Sequence, residues 1–178
     1  MSAPAVVRAA GPGDAAGCAA VYAPYVTGTA TTFETEPPDA TAMAGRIAAA
    51  GREHAWLVAE HEERVVGYAY AAAWKTRPAY RWSCEVSVYV DQGQRRGGTG
   101  RALYTALLDR LVERGFRMAV AGMTLPNEAS AGLHRALGFT EVGVLRQIGW
   151  KAGRWHDVAL LQRPLGPPTD AAAPPAPR

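Results

Sequence analysis

A chain of 178 residues that is 48% hydrophobic holds enough apolar mass for one domain with a substantial core. Its net charge is only +3, and apart from Arg95-Arg96 the arginines are scattered; that disfavours a nucleic-acid face and fits attraction to an anionic small molecule. Cys18 and Cys84 fit no disulfide or metal spacing, and His54, His61, His134 and His156 show no ligand spacing, so no metal is expected; without a signal-peptide run or an apolar stretch of membrane length, a cytoplasmic protein with no membrane contact is expected.

In chain order, Val6 to Ala9 reads as an opening strand. Asp14 can cap a helix over Ala15 to Tyr22 that Pro24 should stop, since proline disfavours helical backbone before it. Residues 27 to 38, rich in turn formers, should be loop or short extended chain. Asp39 or Thr41 can cap a second helix to about Ala50, closed by Gly51. Trp56 to Ala59 and Val65 to Trp74 read as a hairpin turning at Glu62-Glu63-Arg64, followed by a polar loop, Lys75 to Arg81, and a strand from Ser83 to Val90. The helix from Thr99 to Arg114 puts Leu103, Leu107, Leu108 and Leu111 on one face, and Gly115 ends it. A strand (Phe116 to Met123), a short helix (Asn127 to Leu137) and two last strands (Thr140 to Ile148, Arg154 to Gln162) complete a β-α-α-β-β-β-α-β-α-β-β order. That order predicts an α/β (α+β) domain, a mixed central sheet with helices on both faces, over residues 1–163. Residues 164–178, rich in proline and alanine, read as a disordered tail.

The run from Val88 to Arg101 carries most information. A strand (Val88, Tyr89, Val90) enters a basic, glycine-rich turn (Arg95, Arg96, Gly97, Gly98), and a helix starts at Thr99, Gly100 and Arg101. Amides at a helix start lack partners and carry the positive end of the macrodipole, and glycines let a phosphate approach them. A P-loop would need a lysine that is missing, and a dinucleotide fingerprint would need glycine at Leu103. The Arg-x-x-Gly-x-Gly pattern of Arg95, Gly98 and Gly100 resembles instead the pyrophosphate loop of the GNAT N-acetyltransferase superfamily, which grips acetyl-CoA.

Further motifs sharpen that resemblance. Trp74-Lys75-Thr76-Arg77-Pro78-Ala79-Tyr80, Glu85 with Ser87 to Val90, Leu125-Pro126-Asn127-Glu128-Ala129-Ser130, Leu133 to Phe139 with His134, and Gly153-Arg154-Trp155-His156-Asp157-Val158 follow in order. Together they resemble the phosphinothricin and methionine sulfoximine N-acetyltransferase family over Val6 to Arg163. The resemblance implies the GNAT fold, a homodimer, and direct transfer of acetyl from acetyl-CoA to the primary amine of a small acceptor, the chemistry of herbicide resistance. It implies Glu85 as general base and His134 as the group that eases thiolate departure, with backbone N–H groups near Val88 facing the oxyanion. It places Asn127 and Ser130 on the coenzyme, although Asn127 can equally cap its helix. It places Lys75, Arg77 and Tyr80 on the acceptor's anionic groups and Phe33 as an aromatic wall. His156 and Asp157, adjacent on a strand, point to opposite faces and cannot form a dyad; that motif reads as sheet packing, dimer contact or closure of the acceptor pocket. Two alternatives stay open: acetylation of a protein N-terminus or another amine, and a coenzyme-binding regulatory module without turnover.

Overall fold

The order of elements read from the sequence is the order found. The computed structural model describes residues 5–94, 97–166 and 176–177. Arg95, Arg96 and most of the expected tail lie outside these. The strands are β1 (Val6–Ala9), β2 (Ala55–His61), β3 (Arg64–Ala73), β4 (Ser83–Val90), β5 (Met118–Thr124), β6 (Thr140–Lys151) and β7 (Arg154–Pro164). The helices are α1 (Ala15–Gly28), α2 (Ala40–Glu53), α3 (Thr99–Glu113) and α4 (Glu128–Ala136). One seven-stranded sheet runs β1-β2-β3-β4-β5-β7-β6. Every neighbouring pair is antiparallel except β4 and β5, which are parallel.

Side-chain alternation along the strands sorts the residues into two cores. On one face Cys84 and Val86 of β4, Ala119, Ala121 and Met123 of β5, and Ala159 and Leu161 of β7 pack under α3. The leucine stripe is the other half of that core: Leu103, Leu107, Leu108 and Leu111 are each exposed by no more than 1%. On the opposite face Trp56, Val58, Tyr68 and Tyr89 pack under α1 and α2. An aromatic cluster fills this second core, with Trp56 stacked on Tyr68 and Tyr70, and Tyr89 edge-on to Tyr22 and Tyr25.

Four expectations about the ends of elements are corrected. α1 passes through Pro24 and ends at Gly28, because burial of Tyr25 and Val26 beyond the proline outweighs the one backbone bond it removes. Asp14 makes no cap bond to α1. Its carboxylate takes two 2.8 Å bonds from the Arg8 guanidinium and one of 2.7 Å from Gly11 N, and the Arg8 bonds hold its carboxyl below the usual range. α2 runs past Gly51 to Glu53, with Asp39 as the cap through a 2.7 Å bond from Ala42 N. Finally, β7 includes Pro164, and Leu165 is buried in the core, so ordered packing reaches beyond residue 163.

Candidate active site

The parallel pair at the centre of the sheet opens the site. β4 and β5 are paired only at Ser83, Cys84 and Glu85, opposite Met118, Ala119 and Val120. Past Glu85 that edge of β4 has no strand partner among the described residues, while its other edge stays paired to β3 up to Val90. Backbone groups alternate sides along a strand. Asp91 N bonds back toward β3 at Val66 O, so Val86, Val88 and Val90 present theirs to the gap. Two tyrosine hydroxyls satisfy the outer carbonyls: Tyr104 donates to Val86 O at 3.2 Å and Tyr25 to Val90 O at 2.6 Å. Val88, between them, faces the gap with its own N–H and C=O.

A cleft of about 780 Å³ runs through this gap. Its lining includes Val88 and Val90, Leu133 of α4, Thr29 to Thr31 after α1, and Arg154 and His156 of β7, so it opens on both faces of the sheet. Gly98, Thr99, Gly100 and Arg101 form one end. Gly98 is the N-cap residue of α3 and has φ +81°, a left-handed backbone that glycine adopts without strain. The first amide in the helical ladder is Ala102 N, bonded to Gly98 O at 3.0 Å; those of Thr99, Gly100 and Arg101 precede it and carry the dipole's positive end. Asn127 and Ser130 also line the cleft. Asn127 Oδ1 accepts from Ser130 N at 3.1 Å, so it does cap α4. Tyr89 is different from its neighbours: its ring is buried in the second core and its backbone pairs with β3, so it does not line the cleft. Gly97 is exposed beside the loop and outside the lining.

Glu85 sits at the apex of the gap, the last residue of β4 still paired with β5. Its side chain lies on the α1/α2 face, with Oε1 over Gly122 of β5, 3.7 Å from where a Cβ would be. Val158 of β7 borders the same spot. Burial pushes the Glu85 carboxyl above the usual carboxylate range, and the Lys75 charge partly opposes the rise. Lys75, Arg77 and Tyr80 line a second hollow, of about 470 Å³, beyond the end of β3 rather than the main cleft. Lys75 is also a cation over the Trp74 ring, at 4.7 Å. Phe33, on the segment between α1 and α2, packs on Gly149 of β6 and stands 6.1 Å from the His156 ring.

His134 is buried at 3% and stands behind the cleft wall, its ring edge-on to Tyr104 and Phe139. Nδ1 is 2.8 Å from Ser130 O, and a carbonyl only accepts, so Nδ1 carries a proton. Burial lowers the pKa of the ring. In the neutral ring Nε2 is then an acceptor, 3.2 Å from the Tyr104 hydroxyl. The Tyr104 proton therefore has two places to go, Val86 O at the gap or His134 Nε2 behind it.

Comparison with known proteins matches residues 7–160 to the acetyltransferase (GNAT) domain. The chain belongs to the GNAT acetyltransferase family. This acetyltransferase is 40% identical to phosphinothricin N-acetyltransferase of Streptomyces viridochromogenes, over 98% of this chain and 93% of the relative. It is 37% identical to the L-methionine sulfoximine/L-methionine sulfone acetyltransferase of Pseudomonas aeruginosa, over 94% and 98% of the two chains. A crystal structure of a phosphinothricin acetyltransferase from Sinorhizobium meliloti in complex with AcCoA superposes with a TM-score of 0.88 at 36% identity, covering 97% of each chain.

Several residues in and around the cleft carry no signal in the sequence. Tyr25 lies just past the proline expected to end α1, and only the tertiary fold brings its hydroxyl to Val90 O. Tyr104 stands beside Leu103 of the α3 stripe, and nothing in the sequence singles it out. His156 and Arg154 line the cleft, and His156 is also paired with Gly149 in the sheet. Asp157, by contrast, binds Arg146 at 2.7 Å and Gln147 N at 2.8 Å and takes no part in the lining. No helix among the described residues is long and apolar enough to cross a membrane.

Proposed function

We propose that this acetyltransferase moves the acetyl group of acetyl-CoA directly to the primary amine of a small amino-acid-like acceptor, of the phosphinothricin, methionine sulfoximine or methionine sulfone type. The carrying observation is the gap between β4 and β5: the cleft through it has the unpaired amides of the α3 start at one end, and Glu85, outside the cleft's lining, stands where the two strands part. The near-full-length likeness to relatives with those acceptors supports the substrate class.

The residues fit the coenzyme's chemistry. A diphosphate needs bare amides and positive potential, which Gly98 to Arg101 supply, with Arg95 and Arg96 of the same loop assigned to the same task. A pantetheine arm carries amides that can pair with a free strand edge, and Val88 and Val90 lie along one. Asn127 and Ser130 close the other wall. An ammonium has no lone pair for attack, so Glu85 takes its proton, directly or through water. As the acetyl carbonyl gains negative charge, the Val88 N–H is a donor turned into the middle of the gap. His134 is a positioning residue in this reading: its Nε2 competes with Val86 O for the Tyr104 proton at the wall of the gap, and the departing thiolate recovers the proton that Glu85 takes from the amine. Lys75 and Arg77, with Tyr80, hold the acceptor carboxylate; the field of Lys75 already reaches Glu85.

Release of free thiol from acetyl-CoA, followed across a panel of amino acids, their sulfone and sulfoximine analogues, and an N-terminal peptide, tests this. Turnover with the amino-acid analogues is expected, and turnover with the peptide alone would overturn the acceptor class. In the same assay Arg77→Ala should raise the acceptor KM about tenfold, the loss of one charge-assisted contact, and leave the acetyl-CoA KM in place. An equal rise in both would remove Arg77 from the acceptor site.

We read the assembly as a homodimer. Val142, Leu145, Ile148, Trp150 and Trp155 are exposed together on β6 and β7, at the edge of the sheet. Sedimentation equilibrium should give twice the chain mass, and Trp150→Glu should shift it toward one chain; a monomeric parent protein would overturn this.

A further inference from the structure

The segment between α1 and α2, which bears Phe33 and walls the cleft with Thr29 to Thr31, has no regular structure of its own, so side chains must hold it. On the inner side Tyr22 reaches Thr32 Oγ1 at 2.6 Å and donates to Glu34 Oε1 at 2.9 Å. Arg46 of α2 grips both oxygens of Glu34, at 2.7 and 2.9 Å. On the outer side Lys151 Nζ, at the end of β6, donates to Thr32 O at 2.7 Å. The residues before and after Phe33 are thus both pinned, one of them to the β6–β7 hairpin.

The Phe33 ring between those pins meets the same hairpin. It lies so close over Gly149 that a Cβ there would overlap it. Gly149 is paired with His156 across the hairpin, and the rings of Phe33 and His156 are 6.1 Å apart. His156 Nε2 in turn donates to Lys151 O at 3.0 Å. Lys151 therefore holds both partners, the segment by its ammonium and His156 by its carbonyl. His156 lines the cleft, and Phe33 is still 38% exposed. A half-exposed aromatic ring beside a cleft offers apolar area that a bound side chain can cover.

We propose that Gly149, Lys151 and His156 are positioning residues that seat Phe33, and that this seat determines which acceptor side chains the enzyme accepts. The inference rests on the acceptor reading above. Gly149 matters because it has no Cβ: any larger residue moves the ring while both of its chain neighbours stay pinned. Lys151 matters because its ammonium ties the segment to the hairpin's end. Gly149 and Lys151 lie outside the lining of the cleft, so the effect belongs to acceptor selection and leaves coenzyme binding alone.

The test is a kinetic cycle of Gly149→Ala, Phe33→Leu and the double variant, with a short acceptor (alanine) and a long one (methionine sulfone). Gly149→Ala is expected to change the long-to-short ratio of kcat/KM by about tenfold, the scale of one misplaced methylene in a pocket. The acetyl-CoA Kd by calorimetry should stay at the parent value. In the Phe33→Leu background the added alanine should have little further effect, since the ring it displaces is gone. Lys151→Met should raise the long acceptor's KM with kcat kept, and Lys151→Arg should restore it; this arm decides the matter if Gly149→Ala fails to fold. An unchanged ratio, additive effects of Gly149 and Phe33, or an unmoved KM in Lys151→Met would overturn the seat. A parent enzyme that acetylates neither acceptor would instead overturn the acceptor reading, and this inference with it.

Discussion

Glu85→Gln is expected to slow acetyl transfer by about 10²- to 10⁴-fold, the range for losing a positioned general base. The change is nearly isosteric, so the apex of the gap and the pairing of Glu85 with Val120 and Ala72 should persist. Acetyl-CoA affinity by calorimetry should therefore hold, and the loss should fall on the chemical step. The pH dependence supplies an independent check. Burial disfavours the charged carboxylate, so Glu85 keeps its proton to a higher pH than the ordinary value of 4.5. The base is the deprotonated form; activity is then present above the raised pKa and falls as pH drops through it. Lys75 opposes the rise, so Lys75→Met should move this acid limb to higher pH. In Glu85→Gln the same limb should vanish. A rate unchanged by the substitution, or an acid limb that survives it, would remove Glu85 as the base.

The elements whose information is local were legible in the sequence, and those fixed by distant contacts were not. The α3 stripe is a periodicity, and Leu103, Leu107, Leu108 and Leu111 are all buried as it implies. The glycine turn could be read because left-handed backbone and unpaired helix amides impose residue types at fixed spacing, and Gly98 does take positive φ. Pro24 misled for the opposite reason: its local cost is small beside the burial of Tyr25 and Val26, which only the folded second core reveals. Asp14 offered a local cap, yet Arg8 across the chain reversal competes better for a carboxylate. At the site, motif resemblance pointed to Glu85 and His134 but could not show that His134 is one layer removed from the cleft. Nothing in the spacing of Tyr25 or Tyr104 says that their hydroxyls end on strand carbonyls left open when β4 and β5 part. The seat of Phe33 is likewise a product of segments more than a hundred positions apart.

Gly98→Val should abolish useful acetyl-CoA binding, with an affinity loss of at least about 100-fold. Two effects add. The first is conformational: at φ +81° a β-branched residue is strained, by about 1–2 kcal/mol. The second is obstruction. A Cβ at residue 98 meets nothing within 4 Å among the described residues, so the fold has room for it, and Gly98 itself lines the cleft. A branched side chain in the same stretch of lining as Thr99, Gly100 and Arg101 is expected to crowd a diphosphate on their amides, and each charge-assisted bond lost is worth about 1.5–3 kcal/mol. Gly98→Ala separates the two, since it carries most of the backbone strain with far less bulk, and should bind more weakly than the parent but better than the valine variant. Calorimetric titration with acetyl-CoA, and with desulfo-CoA to remove any turnover, reads the difference directly. If Gly98→Val binds both with parental affinity while melting as the parent does, the diphosphate does not sit on the start of α3. The cleft between β4 and β5 would then need another ligand to explain why its amides are left bare.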